Sequence, residues 1–298
     1  MKKLLIMAMA FFALSFVACG GDDAPTNPTP APTPDPAPTP TATTFAKGAD
    51  ISWYTEMEAD GKHFYNQAGE QTTCPQLMKQ LGMNAVRLRV WVNPEKAACD
   101  FCNTTDVVNK AREAKAAGLD VMIDFHYSDL WADPSRQQKP EAWQNLTFAQ
   151  LLQQVATHTR TVLEAVVAAG VTPKWVQIGN ETRSGMIYPD GALYDANWKP
   201  LTDGWKNFTQ LYMAGYNAAK DVLPEAKVMP HLNTASKQSD NTWWLQQLKA
   251  NGGQFDMVGF SHYPQIDDDS QQPTALNAQA VACMQQVTKT YGVPCMVV

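Results

Sequence analysis

Short apolar runs of strand length recur along the chain at residues 48–52, 85–91, 120–125, 175–179, 226–231, 255–260 and 294–298. Between them lie longer segments in which apolar positions return every three or four residues: 74–81, 106–117, 147–169, 208–222, 242–250 and 275–291. Gly118, Gly170 and Pro224 follow three of these segments and supply helix stop signals. Strand-length runs alternating with helical patterns predict repeated β-then-α units and a parallel sheet. An open doubly wound sheet and a closed barrel both fit. No Gly-x-Gly-x-x-Gly loop follows the first run, and polar residues gather after nearly every run rather than at one switch point. The pattern therefore predicts an α/β fold, a (β/α)8 TIM barrel. Val298 falls within the seventh strand, so the barrel is expected to be C-terminally truncated after strand seven, a fragment of a longer product.

The ends of the runs carry the chemistry. Trp175-Val-Gln-Ile-Gly-Asn-Glu181 delivers an amide, Asn180, and a carboxyl, Glu181, to a strand tip, where barrel enzymes keep their active sites. A carboxyl there can give and take a proton, and the amide can hydrogen-bond a sugar hydroxyl. Earlier tips bring Asp50 with Ser52 and Trp53, Arg87 and Arg89 with Trp91, and His126, Asp129 and Trp131. Later tips bring His231 with Asn233, and Ser261, His262 and Tyr263. Each has a structural explanation taken singly: one or both arginines, which share a face, could simply neutralise a carboxylate inside the barrel. Together, polar groups on six consecutive strand ends describe a site. Trp91 and Trp131 are candidate stacking platforms for sugar rings. His126, His231 and His262 at three tips raise a metal site, but no His-x-His follows the first strand, so no catalytic metal is expected.

The ends of the chain are not part of this body. Met1-Lys-Lys and the apolar stretch 4–17 read as a signal peptide. Phe16-Val-Ala-Cys19 resembles a lipobox, so residues 1–19 are read as a leader with Cys19 lipidated and the mature protein held at an outer-membrane surface. Residues 20–45 alternate Pro, Thr and Ala and form a linker biased to extended polyproline II. Residues 46–298 are the globular part. The net charge of −6 is spread without a basic stripe, which excludes nucleic acid as a partner. Of six cysteines, Cys19 is assigned to lipid, and Cys99-Asp-Phe-Cys102 is read as the place of a structural bridge rather than a metal half-site.

Gly48-Ala-Asp-Ile-Ser, Asn84-Ala-Val-Arg-Leu-Arg-Val-Trp-Val-Asn-Pro94, Asp124-Phe-His-Tyr-Ser-Asp-Leu-Trp-Ala-Asp-Pro134, Gln177-Ile-Gly-Asn-Glu181 and Gly259-Phe-Ser-His-Tyr-Pro264 resemble glycoside hydrolase family 53, the endo-β-1,4-galactanases of type I arabinogalactan. The resemblance runs in order over the globular part. It implies a (β/α)8 barrel that works by a retaining double displacement, without a cofactor, as a monomer on galactan. Some relatives carry a structural calcium in late loops, for which no complete site is expected here. Glu181 matches the acid/base, Asn180 the partner of the sugar 2-hydroxyl, and Arg87 the arginine beside the nucleophile. His126, Asp129, Trp131, His262 and Tyr263 match groove positions. The family's nucleophile, a glutamate at the tip of strand seven, is expected directly after Val298. Two rivals stand: a related retaining barrel acting on mannan, xylan or glucan, and an inactive glycan-binding surface lipoprotein.

Overall fold

A computed structural model describes residues 45–94, 101–265 and 268–298. The leader, the Cys19 lipidation site, the linker up to residue 44 and Cys99 lie outside the described residues.

Each of the first six strands is followed by a helix that returns the chain to the same end of the sheet. The strands are β1 (Gly48–Asp50), β2 (Ala85–Val90), β3 (Asp120–Phe125), β4 (Trp175–Ile178), β5 (Lys227–Met229, resumed as His231–Leu232), β6 (Val258–Phe260) and β7 (Cys295–Val297). They pair in sequence order, every neighbour parallel, from β1 to β7. Pro230 has no N–H to give and divides β5 in two, so the ladder breaks there without a change of direction. The helices are α1 (Cys74–Gln80), α2 (Thr104–Ala116), α3 (Phe148–Ala168), α4 (Gly204–Val222), α5 (Gln238–Ala250) and α6 (Pro273–Tyr291). This winding is that of a (β/α)8 barrel.

Local chemistry sets the helix ends. Thr147 caps α3 by accepting from the backbone N–H of Gln150, whose side chain reaches back to the Thr147 N–H. Asn103 does the same for α2 through Asp106 N–H, which is why α2 starts before the periodic stretch at 106. Helices α4 and α5 also begin earlier than their periodicity suggests, at Gly204 and Gln238. A short helix at Tyr54–Ala59 and two small hairpins decorate the loops. Gly215 lets α4 lie close on the sheet: a Cβ there would sit 2.5 Å from Tyr127 Oη and 2.9 Å from Ile178 Cγ2.

The main apolar core lies between strands and helices, with Leu88, Ile123, Phe125, Val176 and Ile178 meeting Leu151, Val155, Val162, Phe208 and Leu211. A second cluster, Met122, Met229 and Met257 packed by Trp175, Met296 and Val298, fills the lower barrel interior. Above it the interior turns polar. β1 and β7 are the sheet's two edges among the described residues, and a cleft of about 300 Å³ lined by Gly48, Ala85, Met122, Met296 and Val298 lies between them. No bridge forms at Cys102, contrary to expectation. Its thiol is free and buried, because Sγ is turned into the barrel wall, where it accepts from Arg89 Nη2 at 3.4 Å and Lys110 Nζ at 3.7 Å.

Candidate active site

The polar layer is organised around Arg87, midway along β2 and pointing into the barrel. Its Nη1 meets Asp50 Oδ2 at 2.8 Å and its Nη2 meets Asp124 Oδ2 at 2.8 Å. The same guanidinium donates to Gln177 Oε1 at 3.0 and 3.2 Å and to Asn180 Oδ1 at 2.8 Å. One cation thus ties together β1, β3 and β4. Asp124 is fully buried, and burial alone would favour its neutral form. Arg87 and then His126 outweigh this and hold its carboxyl below the usual range.

His126 sits beneath the groove floor, buried, with both ring nitrogens engaged. Nδ1 accepts from Ala132 N–H at 3.0 Å, so Nε2 carries the proton and donates to Asp124 at 3.0 Å. Burial lowers its pKa, against the pull of Asp124, and keeps the ring neutral. Asp129 clasps two loops, its carboxylate oxygens accepting from the N–H groups of Asn93 and Glu141.

Glu181 stands at the tip of β4. The chain reaches it through Gly179 at φ +80°, and Glu181 itself adopts φ +49°. A left-handed non-glycine residue costs energy and needs its surroundings to hold it. Gln137 does so, donating from Nε2 to the carbonyls of Asn180 and Glu181, while Asn180 Nδ2 donates to Ala132 O. A Cβ on Gly179 would lie 2.4 Å from Thr182 Cγ2. Gly179→Ala is therefore expected to destabilise the protein by at least about 1–2 kcal/mol, the cost of forcing an alanine into this region. Urea unfolding measures it, and an unchanged midpoint would contradict the clash.

A hydrogen-bond chain reaches the Glu181 carboxyl from β5 and β6. His231 Nδ1 accepts from Glu181 N–H at 3.1 Å, so its Nε2–H donates to Ser261 Oγ at 2.9 Å. Ser261 in turn donates to Glu181 Oε1 at 2.5 Å. Burial holds His231 well below its ordinary pKa, so this donor is a neutral imidazole. Burial likewise raises the Glu181 pKa, the Ser261 hydrogen bond opposing and Asp133 reinforcing it. Burial thus favours the protonated form of this carboxyl, and Ser261 holds its Oε1.

The remaining candidates lie around this centre. Trp131 and Trp53 are part-exposed, 6.0 Å apart at 34°. Trp91 is buried beneath them. All three rings enclose the Arg89 guanidinium, whose carbon lies 4.3 to 4.6 Å from each ring centroid. Of the two arginines, Arg87 is the one that neutralises carboxylates; among the described residues Arg89 pairs with none, and indole faces surround its guanidinium. His262 turns to α6, its Nε2 2.8 Å from Asn277 Oδ1, and Tyr263 is half-exposed on the rim. Sequence reasoning overlooked Gln177, Gln137 and the role of Ser261. Gln177, two residues before Gly179 on the inward face of a strand, and Ser261, at a strand tip, had a sequence cue, and Gln137 had none.

The profile of Glycosyl hydrolase family 53 matches residues 46–298. The chain is 31% identical over 264 residues to a probable arabinogalactan endo-β-1,4-galactanase A of Aspergillus fumigatus, covering 86% of this chain and 69% of that one. It is 34% identical over 220 residues to a protein of Niallia circulans, spanning 74% of this chain but only 59% of the relative. Among solved structures it superposes on the family 53 catalytic domain from Ignisphaera aggregans with a TM-score of 0.74 at 31% identity, covering 85% of this chain and 67% of that one. It also superposes on fungal β-1,4-galactanases with a TM-score of 0.75 at 30% identity, covering 85% and 73%. A profile matched over residues 46–298, with Asn180 and Glu181 at the tip of β4, makes this chain a member of glycosyl hydrolase family 53.

Proposed function

We propose that the barrel is the catalytic domain of an endo-β-1,4-galactanase that works by retaining double displacement, with Glu181 as acid/base. The observation that carries this reading is Glu181 itself: a carboxyl at the tip of β4, its pKa raised by burial and its Oε1 held by Ser261. Family membership and the galactanase names of its relatives support the substrate. Glycosidases of this family need no cofactor. Glu181 gives its proton to the departing glycosidic oxygen, then takes one from the water that hydrolyses the glycosyl-enzyme. Asn180 and Arg87 position the sugar and the attacking group.

A retaining reaction needs a second carboxylate about 5–5.5 Å from the first. Asp50 and Asp124 are already bound to Arg87. The nucleophile is assigned to a glutamate directly after Val298. Support comes from β7, where Val298 N–H donates to Phe260 O at 3.0 Å, so a continuing chain runs beside Ser261 and toward Glu181. The residue encoded after Val298 tests this directly; anything but glutamate sinks the assignment.

Hydrolysis of linear β-1,4-galactan, mannan, xylan and glucan by the full-length protein, with the anomer released followed by proton NMR, tests the reaction. Galactan cleavage with initial release of the β-anomer is expected; cleavage of another polymer with galactan untouched rejects the substrate. The surface reading is a separate proposal: Cys19 carries lipid, and labelled palmitate is expected in the parent and absent from Cys19→Ala.

Ser261→Ala gives a signed pH test. The hydroxyl donates to the ionised form of Glu181 and so opposes the upward shift from burial. Without it the pKa rises further. The basic limb of the kcat/KM profile, which reports loss of the acid's proton, moves to higher pH. A limb that stays or moves down contradicts the hydrogen-bond direction.

A further inference from the structure

Arg89 is buried without the partners that a buried arginine normally takes. It is 1% exposed, yet its Nε and Nη1 have no hydrogen-bond partner among the described residues, and Nη2 reaches only Cys102 Sγ at 3.4 Å. A buried cation without polar compensation is costly, and a hydrocarbon of similar volume would fill the same space. What Arg89 does have is three indoles. Its guanidinium carbon lies 4.6 Å from the ring centroid of Trp53, 4.3 Å from that of Trp91 and 4.4 Å from that of Trp131. Arg89 stands on β2, Trp53 follows β1 and Trp131 follows β3, the strands on either side. One cation therefore gathers rings from three successive strand ends.

Two of these rings face outward. Trp53 is 48% and Trp131 40% exposed, whereas Trp91, expected as a stacking surface, is 3% exposed and forms the floor instead. The backbone beside each outward ring is anchored. Ser52, before Trp53, accepts at Oγ from Arg89 N–H at 2.8 Å and at its carbonyl from Lys110 Nζ at 2.5 Å. Ala132, after Trp131, donates its N–H to His126 Nδ1 at 3.0 Å and accepts from Asn180 Nδ2 at 2.7 Å. These anchors also tie the rings to the polar layer. Ser52 N–H donates to Asp50 Oδ1 at 2.9 Å, on the carboxyl that Arg87 holds, and Asn180 is the chain neighbour of Glu181. Backbone anchors leave each side chain its rotamers. A planar cation in contact with both rings removes that freedom.

We propose that Arg89 is a positioning residue that locks Trp53 and Trp131 into one aromatic platform, on which a sugar ring of the substrate stacks. The proposal rests on the reading of the barrel as a glycan hydrolase. Two adjoining indoles, 6.0 Å apart, offer the apolar surface that the C–H face of a pyranose covers. Arg89 itself touches no sugar; its effect travels through the rings.

Kinetics and circular dichroism on the full-length protein test it. On linear β-1,4-galactan, Trp53→Ala and Arg89→Met are each expected to raise KM roughly three- to tenfold, the size of one aromatic contact, with little change in kcat. The double variant is expected to lose little beyond either single one, since both remove the same surface. Paired indoles give an exciton couplet. The part of it that Trp53→Ala abolishes is expected to vanish in Arg89→Met as well, although that variant keeps every tryptophan. A role confined to stability would lower Tm and leave both KM and the couplet in place. Arg89→Lys keeps the charge but has no plane to lay against the rings; it is expected to fall between parent and Arg89→Met, and it carries the test if Arg89→Met does not fold. An unchanged KM in Trp53→Ala, or additive losses in the double variant, overturns the platform alone. Cleavage of mannan, xylan or glucan with galactan untouched rejects the galactan reading alone, and the same cycle on that polymer then decides the platform. Cleavage of none of the four rejects both.

Discussion

Glu181→Gln is expected to lower kcat on galactan by about 10²–10⁴, the range that positioned general acid catalysis contributes. The amide keeps the size of the side chain and still accepts from Ser261, so fold and substrate binding are retained. It cannot protonate the departing oxygen. A substrate whose leaving group needs no proton separates this role from a structural one. On a dinitrophenyl β-galactoside the first step stays near the parent rate, and the second, which needs a base for water, slows. A covalent intermediate then accumulates, visible as a burst of phenolate. Azide, which attacks without deprotonation, restores turnover and yields the β-galactosyl azide. Parent rates on both substrates would remove Glu181 from the mechanism. An equal loss on both, with no burst and no rescue by azide, would assign it to binding or folding instead.

The fold was legible where strand and helix follow local rules. Parallel strands buried on both faces read as unbroken apolar runs, and 120–125 and 175–179 coincide with β3 and β4 almost residue for residue. Boundaries governed by caps were less legible, because Asn103 and Gln238 lie outside the apolar periodicity that announces their helices. The proton donor was legible because strand and tip are contiguous in sequence. What tunes it was not. Ser261 and His231 lie 80 and 50 residues from Glu181 and meet it only because β5 and β6 follow β4 around the barrel. Arg87 and Arg89 show the same limit: two residues apart on one strand, one meets two carboxylates and the other three indoles. Alternation gave their shared direction, while their partners come from other strands and loops.

Arg87→Met carries the largest expected effect on stability. The substitution keeps most of the volume of the side chain but leaves Asp124, fully buried, without its cation, and frees the acceptors of Gln177 and Asn180. Breaking one partner of a buried pair costs about 3–5 kcal/mol. At about 2–4 °C per kcal/mol for a domain of this size, that is a fall in Tm of roughly 6–20 °C. The pH dependence fixes the cause. In the parent, Asp124 has a depressed pKa, so its stabilising contribution is present above the unfolded carboxylate value and is lost as pH falls through the lower native one. In the variant burial prevails and the native pKa rises. The penalty is then present above that raised value and is relieved as pH falls through it. The gap in Tm between parent and variant should therefore narrow between neutral pH and about pH 4, near the ordinary carboxylate value. Adding Asp124→Asn to Arg87→Met removes the stranded charge and should recover a large part of the loss at neutral pH, whereas Asp124→Asn alone destabilises. Calorimetry on the four proteins of this cycle decides it: a gap independent of pH, or no recovery in the double variant, would place the loss in packing rather than in the charge of Asp124.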